Sequence, residues 1–470
     1  MKRKSRAPGR TFRSLRNPNY RRYFVGQTIS MTGTWMQTTG QMWLVLRLSG
    51  SGVALGITSA LQFAPILVLG MWGGVVADRF DKRKTLVFTQ AAAALLAAGL
   101  GVATLANVAT LHTVYAFAFL WGLVIAVDNP TRQAFVAELV EPEDLPNAIG
   151  LNSTVVTAAR TAGPALAGLL ISVAGVAFCF VVNASSYLAV IWGLVHMDPA
   201  RLRPSEPAAR AKGQLRDGLR YVWNTPVLRS ALLLMAVVGT LAYNFRTLIP
   251  LLAEKVFGGG AGTFGALSAM LGLGTLLGAL ASARTIRPTR RLLLGSALFF
   301  GVLMLVTASA PTLTLAMAAL VPTGAASIVF AATTNSMLQT TASPPMRGRV
   351  MALYAIVFLG STPIGGPVVG WVAEIFGTRV SFAVGGAATL LGAVVALRHR
   401  IRNDTVQAVA RARAAFTSAA SSPEQRTERR RGMRPRSGNS PSARKRRRSA
   451  AAPSSRPGHQ SSSSRRTPRP

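Results

Sequence analysis

Thr85 to Ala106 holds no charged side chain, nor does Val53 to Ala77, and only the seven residues Asp78 to Lys84 lie between the two runs. A helix rises about 1.5 Å per residue and pairs its own backbone groups, so each run can cross roughly 30 Å of hydrocarbon. The connector, with Asp78, Arg79, Asp81, Lys82, Arg83 and Lys84, must then be a tight turn at a membrane surface. Apolar runs of this kind recur to give twelve candidate spans between Tyr23 and Leu397. The fold class that follows is an all-α polytopic membrane protein with twelve transmembrane helices. A chain that is 50% hydrophobic and only 14% charged agrees with it and excludes a water-soluble enzyme.

Charge is distributed by side. Loops after the even-numbered spans carry Arg79 to Lys84, Arg132, Arg201 to Arg220, Arg284 to Arg291, and Arg347 with Arg349; the odd loops carry only Arg47, Lys255 and Arg379. Basic residues concentrate on the cytoplasmic side, which places both termini in the cytoplasm of a multi-pass plasma (inner) membrane protein. The formal net charge is +37, and a basic arm at 1–22 and a polybasic tail at 398–470 supply 26 of that excess. The excess is therefore not the basic face of a nucleic-acid-binding domain, and no nucleic-acid partner is expected. The tail, with Arg444-Lys445-Arg446-Arg447-Arg448, is too polar to bury a core and reads as disordered. It is either attracted to anionic inner-leaflet lipid or simply solvated. The arm has no apolar stretch of its own, so the first span is expected to serve as the insertion signal.

The longest internal connection, 198–226, contains an amphipathic piece from Gln214 to Trp223 and separates a first six-span bundle at 23–197 from a second at 227–397. Gly122, Pro142, Gly163, Gly168 and Gly175 recur 202 residues later as Gly324, Pro344, Gly365, Gly370 and Gly377, while Pro18 and Arg21 recur 208 residues on as Pro226 and Arg229. The ordered drift of these matches suggests a duplicated bundle, hence two pseudo-symmetric halves. Cys179 is the single cysteine, and the four histidines have no ligand spacing, so no metal or other cofactor is expected.

Gly74-Val-Val-Ala-Asp78-Arg79-Phe-Asp-Lys82-Arg83 resembles the signature loop between the second and third helices of the major facilitator superfamily. Gly74, Asp78, Arg79, Lys82 and Arg83 match, and Asp81 stands where the family has its second glycine. The resemblance implies a conformational latch rather than a substrate site. The counterpart in the second half, Gly278 to Arg291, has Ser282 where the acid would stand, so the latch looks asymmetric.

Arg160 lies about eleven residues into the fifth span, near mid-bilayer, where a charge is disfavoured by about 2.5–3.5 kcal/mol and should face a cavity or a partner. Gly163 and Pro164 follow on the same face. Arg160, Gly163, Pro164 and Gly168 resemble the fifth-helix motif of superfamily antiporters, with Ala159 and Ala167 in place of glycines. That resemblance implies export; a structural helix staple made by Arg160 is the plainer alternative. Asp128-Asn-Pro130-Thr-Arg132 closes the fourth span, Pro130 being expected to interrupt a regular helix. With Asn152 and the Arg160 motif, it looks like the enterobactin-exporter-like branch of the superfamily, the transmembrane secretion effectors. The family pattern implies that Asp78, Arg79, Arg83, Asp128 and Arg132 form one charge cluster locking helix ends in one state.

The superfamily places the first, fourth, seventh and tenth helices around a central cavity, which makes Gln37, Gln41, Tyr115, Asn244, Arg246 and Asn335 substrate-binding candidates. Trp35, Trp43 and Phe245 read as packing or interface anchors. No Asp or Glu sits centrally in a span, so a proton as coupling ion follows from the resemblance alone. No Gly-x-x-x-x-Gly-Lys-Ser/Thr loop occurs, and Gly260 to Gly265 fits a dinucleotide pattern without the strand it needs. The expected function is alternating-access export of a small molecule (siderophore, drug or metabolite) by a monomeric proton antiporter. A lipid flippase or a membrane scaffold acting through the polybasic termini is the alternative.

Overall fold

The computed structural model describes residues 12–203, 214–285 and 288–398. The arm before residue 12, residues 204–213 of the linker, residues 286–287 of the loop between Gly278 and Arg291, and the tail after residue 398 lie outside the described residues.

Short polar side chains cap several helix starts, and a glycine ends the first helix. Asn17 accepts backbone N–H bonds from Asn19 and Tyr20 to open α1 (Pro18–Ser49), and Gly50 ends it at φ +60°. Ser51 caps α2 (Gly52–Arg79), and Asp81 caps α3 (Lys82–Leu105) by accepting from Lys84 N at 2.9 Å. The residue that departs from the superfamily loop is therefore the one that lets α3 begin without a spacer. A Thr110–Thr113 capping box opens α4 (Leu111–Leu139). α5 (Leu145–Ala174) and α6 (Ala177–Val195) complete the first half.

The interfacial helix α7 (Gln214–Asn224) lies between the halves in sequence and packs on the second, where Asp217 pairs with Arg349 at 3.1 Å. The seventh span is broken into α8 (Pro226–Leu241) and α9 (Phe245–Leu251), continued by a single π-helical turn, Leu252–Val256. Then follow α10 (Ala261–Thr285), α11 (Arg290–Ser309), α12 (Leu313–Thr341), α13 (Pro344–Phe376) and α14 (Thr378–Arg398).

Among the described residues, eleven helices are long and apolar enough to cross a membrane. The twelfth span is α1. Its 32 residues include Gln27, Gln37 and Gln41, which lower its hydropathy and are all buried within the bundle. Pro130 does not interrupt α4, against expectation. Proline removes the donor that would serve the Ala126 carbonyl, and Gly73 of α2 comes so close to that carbonyl that a Cβ there would collide with it. Helix packing takes up the defect.

The two halves repeat one another in their contacts. α4 packs on α2 through Gly122 against the Gln62 carbonyl, and α12 packs on α10 through Gly324 against the Leu271 carbonyl. Gly175 and Gly377 end α5 and α13 at φ +96° and +93°. The main seams between halves are α2 with α13 and α5 with α10, each the image of the other under exchange of the halves.

Candidate functional site

The seams close one end of the molecule. Gly52 and Gly56 meet Gly370 and Gly366 backbone to backbone, and Gly168 meets Gly265, leaving no room for a side chain. At the same end Glu374 of α13 accepts hydrogen bonds from Ser51 Oγ at 2.6 Å and Val53 N at 3.1 Å. Toward the basic-loop end the halves enclose two chambers. The central one has a volume of about 380 Å³. The second, about 570 Å³, runs to exposed Gln133, Ile149 and Ser153 near the basic loops. Trp35, Thr38, Phe63, Arg246 and Leu359 line both chambers.

Trp35 is the hub of the central chamber. Gly163 lets α5 approach α1 so closely that a Cβ would strike the Trp35 Cβ, and Arg160, three residues earlier, reaches over the indole with its guanidinium carbon 5.0 Å from the ring centre. Pro164 lines the same chamber and leaves the Arg160 carbonyl without a helical donor; Gly272 of α10 packs beside it. The small residues of the motif thus position the arginine as well as join helices.

The second half contributes through its broken span. After Leu241 the chain leaves the helix, and both Ala242 N and Tyr243 N turn back to the Val238 carbonyl. Asn244 Nδ2 donates to the Thr240 carbonyl at 2.7 Å, replacing the bond its backbone would make in a helix, while the Tyr243 hydroxyl donates to the Ser327 carbonyl. Rings of Phe300, Phe330 and Phe358 surround Tyr243. The break directs Arg246 across to the first half, where it lies 4.9 Å from the Trp35 ring centre and 5.3 Å from that of Phe63, and donates to Gln62 Oε1 at 3.2 Å.

Two guanidinium groups about 5 Å from one ring centre stand no more than about 10 Å apart, so the like charges repel by at least about 1.7 kcal/mol at an effective dielectric near 20. Cation–π contact returns about 0.5–2 kcal/mol for each. Among the described residues neither arginine has a carboxylate within ion-pair distance, and no acid lines the central chamber. The chamber can therefore hold anionic oxygen without competition from the protein's own acids.

Residues 10–433 match the transmembrane secretion effector family. The chain belongs to that family. It is 26% identical over 375 residues to the staphyloferrin A transporter of Staphylococcus aureus, covering 78% of this chain and 93% of the relative. It is 25% identical over 387 residues to the enterobactin exporter EntS of Escherichia coli O6:K15:H31, covering 81% and 91%. Among solved structures, an inward-facing, unoccupied bacterial homologue of the human lysosomal transporter Spinster aligns with a TM-score of 0.64 at 17% identity, over 81% of this chain and 95% of that one. The nucleoside transporter NupG aligns with a TM-score of 0.63 at 13% identity, over 81% of this chain and 98% of that one. The protein is a multi-pass membrane transporter of the major facilitator superfamily, with the twelve-helix fold.

In this transmembrane secretion effector, Arg246 and Asn244 line the central chamber, and so do Arg160 and Pro164. Gln37 is turned away from it: its Oε1 accepts from Asn183 of α6 at 2.6 Å. Gln41 is buried, Tyr115 packs against the apolar core, and Asn335 accepts from Gln339 at 2.6 Å; none of the three lines either chamber. Trp43 stacks on Phe264. Trp35, read from sequence as an anchor, sits at the centre of the chamber, and Tyr243 and Phe63 join it. The 208-residue repeat offset pairs Trp35 with Tyr243, a signal that could have found both.

Of the charges expected to cluster, Asp128 and Arg132 meet each other, while Arg83 is engaged at the end of α6. Asp128 is 1% exposed and accepts from Thr89 Oγ1 at 2.8 Å and Gln90 Nε2 at 2.7 Å, with Arg132 at 3.2 Å. Lys82 instead pairs with Glu138 at 2.7 Å, and Arg83 donates to the Leu194 and Val195 carbonyls at the end of α6. Gly74 and Asp78 are half-buried in the last turns of α2, and Arg79 is exposed. In this state the contacts of Lys82, Arg83 and Asp128 remain inside the first half. Asp128 and Arg132 both line the second chamber.

Proposed function

We propose that this protein is a secondary transporter that exports a siderophore-type small molecule from the cytoplasm by alternating access. It works as a proton antiporter in the inner membrane with both termini inside. The observation that carries the reading is the pairing of a central chamber, shut at one end by the glycine seams and Glu374, with a second chamber reaching the basic-loop end. Basic loops mark the cytoplasmic side, so substrate enters from the cytoplasm in this state. The seams then part while the basic-loop ends close, with Lys82 and Arg83 exchanging their present first-half partners for partners in the other half. The names of the relatives favour siderophores as cargo. Among the described residues Asp128 is the carboxylate that lines the second chamber, and it is the group we assign to proton coupling.

Inverted membrane vesicles test this directly. With an inward-acid gradient they should accumulate apo-enterobactin or staphyloferrin A against concentration, and collapsing the gradient should abolish accumulation. Absence of gradient-dependent uptake of either compound would sink the export reading.

A further inference from the structure

We propose that the central chamber binds an organic anion carrying negatively charged oxygens at two separated points, one taken by Arg160 from the first half and one by Arg246 from the second, both arginines being in contact with Trp35. The inference rests on the chamber being the transport site and adds the chemistry of what it takes.

Two cations brought within about 10 Å without a counterion repel each other, and a ligand with a single negative charge would leave one of them uncompensated. Guanidinium groups recognise carboxylate or catecholate oxygens through paired N–H donors, which fixes orientation as well as charge. Around the pair the wall supplies neutral donors, Ser59, Asn244 and Thr247 among them, and aromatic surface from Trp35 and Phe63. A neutral or cationic compound would find the apolar surface but leave the repulsion in place. Because the arginines come from different halves, a bridging dianion holds the halves to one ligand. A monoanion can be held by either half alone. Charge complementarity therefore selects for bulk and for separation of the anionic groups together.

The test uses purified full-length protein in detergent, with citrate as the polyanionic probe and acetate and the uncharged trimethyl ester of citrate as controls at matched ionic strength. Citrate should raise the melting temperature and change tryptophan fluorescence, the latter lost in Trp35→Phe. Arg160→Gln and Arg246→Gln should each weaken citrate binding by about tenfold or more, with the lysine variants intermediate. Without ligand, Arg160→Gln should melt no lower than the parent, since it removes one of two like charges; a structural staple predicts a lower melting point and no change in affinity for the folded fraction. Equal binding of the ester, citrate binding unaltered in the double glutamine variant, or no citrate binding by the parent would each overturn the proposal. The lysine variants keep a cation in place and keep the test decisive should a glutamine variant fail to fold. Vesicle transport is a separate readout: citrate binding without siderophore uptake would sink export and leave this site standing, whereas uptake unaffected by either arginine would do the reverse.

Discussion

The fifth and eleventh spans are built on one plan and used differently. Gly163 and Gly168 in α5 correspond to Gly365 and Gly370 in α13, each set pressed against a neighbouring backbone or side chain. At the same 202-residue offset Arg160 corresponds to Thr362. In the first and seventh spans, offset by 208, Trp35 corresponds to Tyr243 and Thr38 to Arg246. All of Trp35, Thr38, Arg160, Tyr243, Arg246 and Thr362 line the central chamber. At these paired positions each half presents an aromatic ring, one arginine and one threonine, with the arginine on a different helix in each. Packing obeys the repeat, and charge departs from it. A pseudo-symmetric frame can exchange two conformations of similar energy, while the asymmetric charges decide what the frame carries.

Removing the asymmetry should have the largest effect. Arg160→Thr gives the fifth span the residue of the eleventh, and Arg246→Thr gives the seventh the residue of the first. Each deletes a charge-assisted hydrogen bond of about 1.5–3 kcal/mol, so citrate affinity should fall about ten- to a hundredfold, measured by fluorescence titration. An unchanged affinity in either variant would mean the frame, and not the charge, makes the site.

The glycines test the frame itself. Gly163→Leu forces a side chain onto Trp35, and Gly370→Leu in α13 forces one onto the Gly52 carbonyl, away from both arginines. Both should destabilise by about 1–3 kcal/mol, read as a lower melting temperature. Only Gly163→Leu should add a marked loss of citrate affinity, because the arginine it displaces has an uncharged counterpart, Thr362, on the other span. Equal losses of affinity would erase the distinction.

How much of this could be read from the chain alone follows from where the information lies. Twelve spans and their halves are legible because hydrocarbon demands long uncharged runs, and Arg160 stands out because it violates that demand. α1 is legible as well, as the uncharged run from Tyr23 to Leu46, although its glutamines lower its hydropathy. The break at Ala242 to Asn244 is not legible. No glycine or proline marks it, and it is held by the Tyr243 hydroxyl on Ser327 and the Asn244 amide on Thr240, contacts that exist only after the helices assemble. Gln37 is a plausible ligand in sequence, yet Asn183, 146 residues away, already occupies it. Trp35 gains its place from Gly163 on another helix. Pro130 passes through α4 because α2 attends to its orphaned carbonyl. A partner's position is tertiary information.

A transplant sharpens the comparison further. If the two spans are interchangeable frames, Thr362→Arg in the Arg160→Thr background should recover about tenfold of the lost citrate affinity, since it returns a second cation to the same chamber. Failure to recover any would show that the Gly163 contact with Trp35 sets the arginine's direction as well as its depth.

The smallest effect belongs to the seal. Glu374 has no acidic counterpart in the first half: at the 202-residue offset it corresponds to Ser172, which bonds its own helix at the Gly168 and Leu169 carbonyls. Of the two mirrored seams, only α2 with α13 therefore carries this charged clasp onto Ser51 and Val53. Both glycine seams persist in Glu374→Gln, and the carboxylate is exposed, so losing its charge should cost about 0.5–1 kcal/mol. That shifts the balance toward opening at this end by roughly two- to fivefold. Spin labels at exposed Leu48 and Phe376 in a Cys179→Ala background would report it as a larger population of long distances. An unchanged distribution would assign the closure to the glycine seams alone and leave Glu374 as a cap on α2. The asymmetry between halves would then be confined to the chamber.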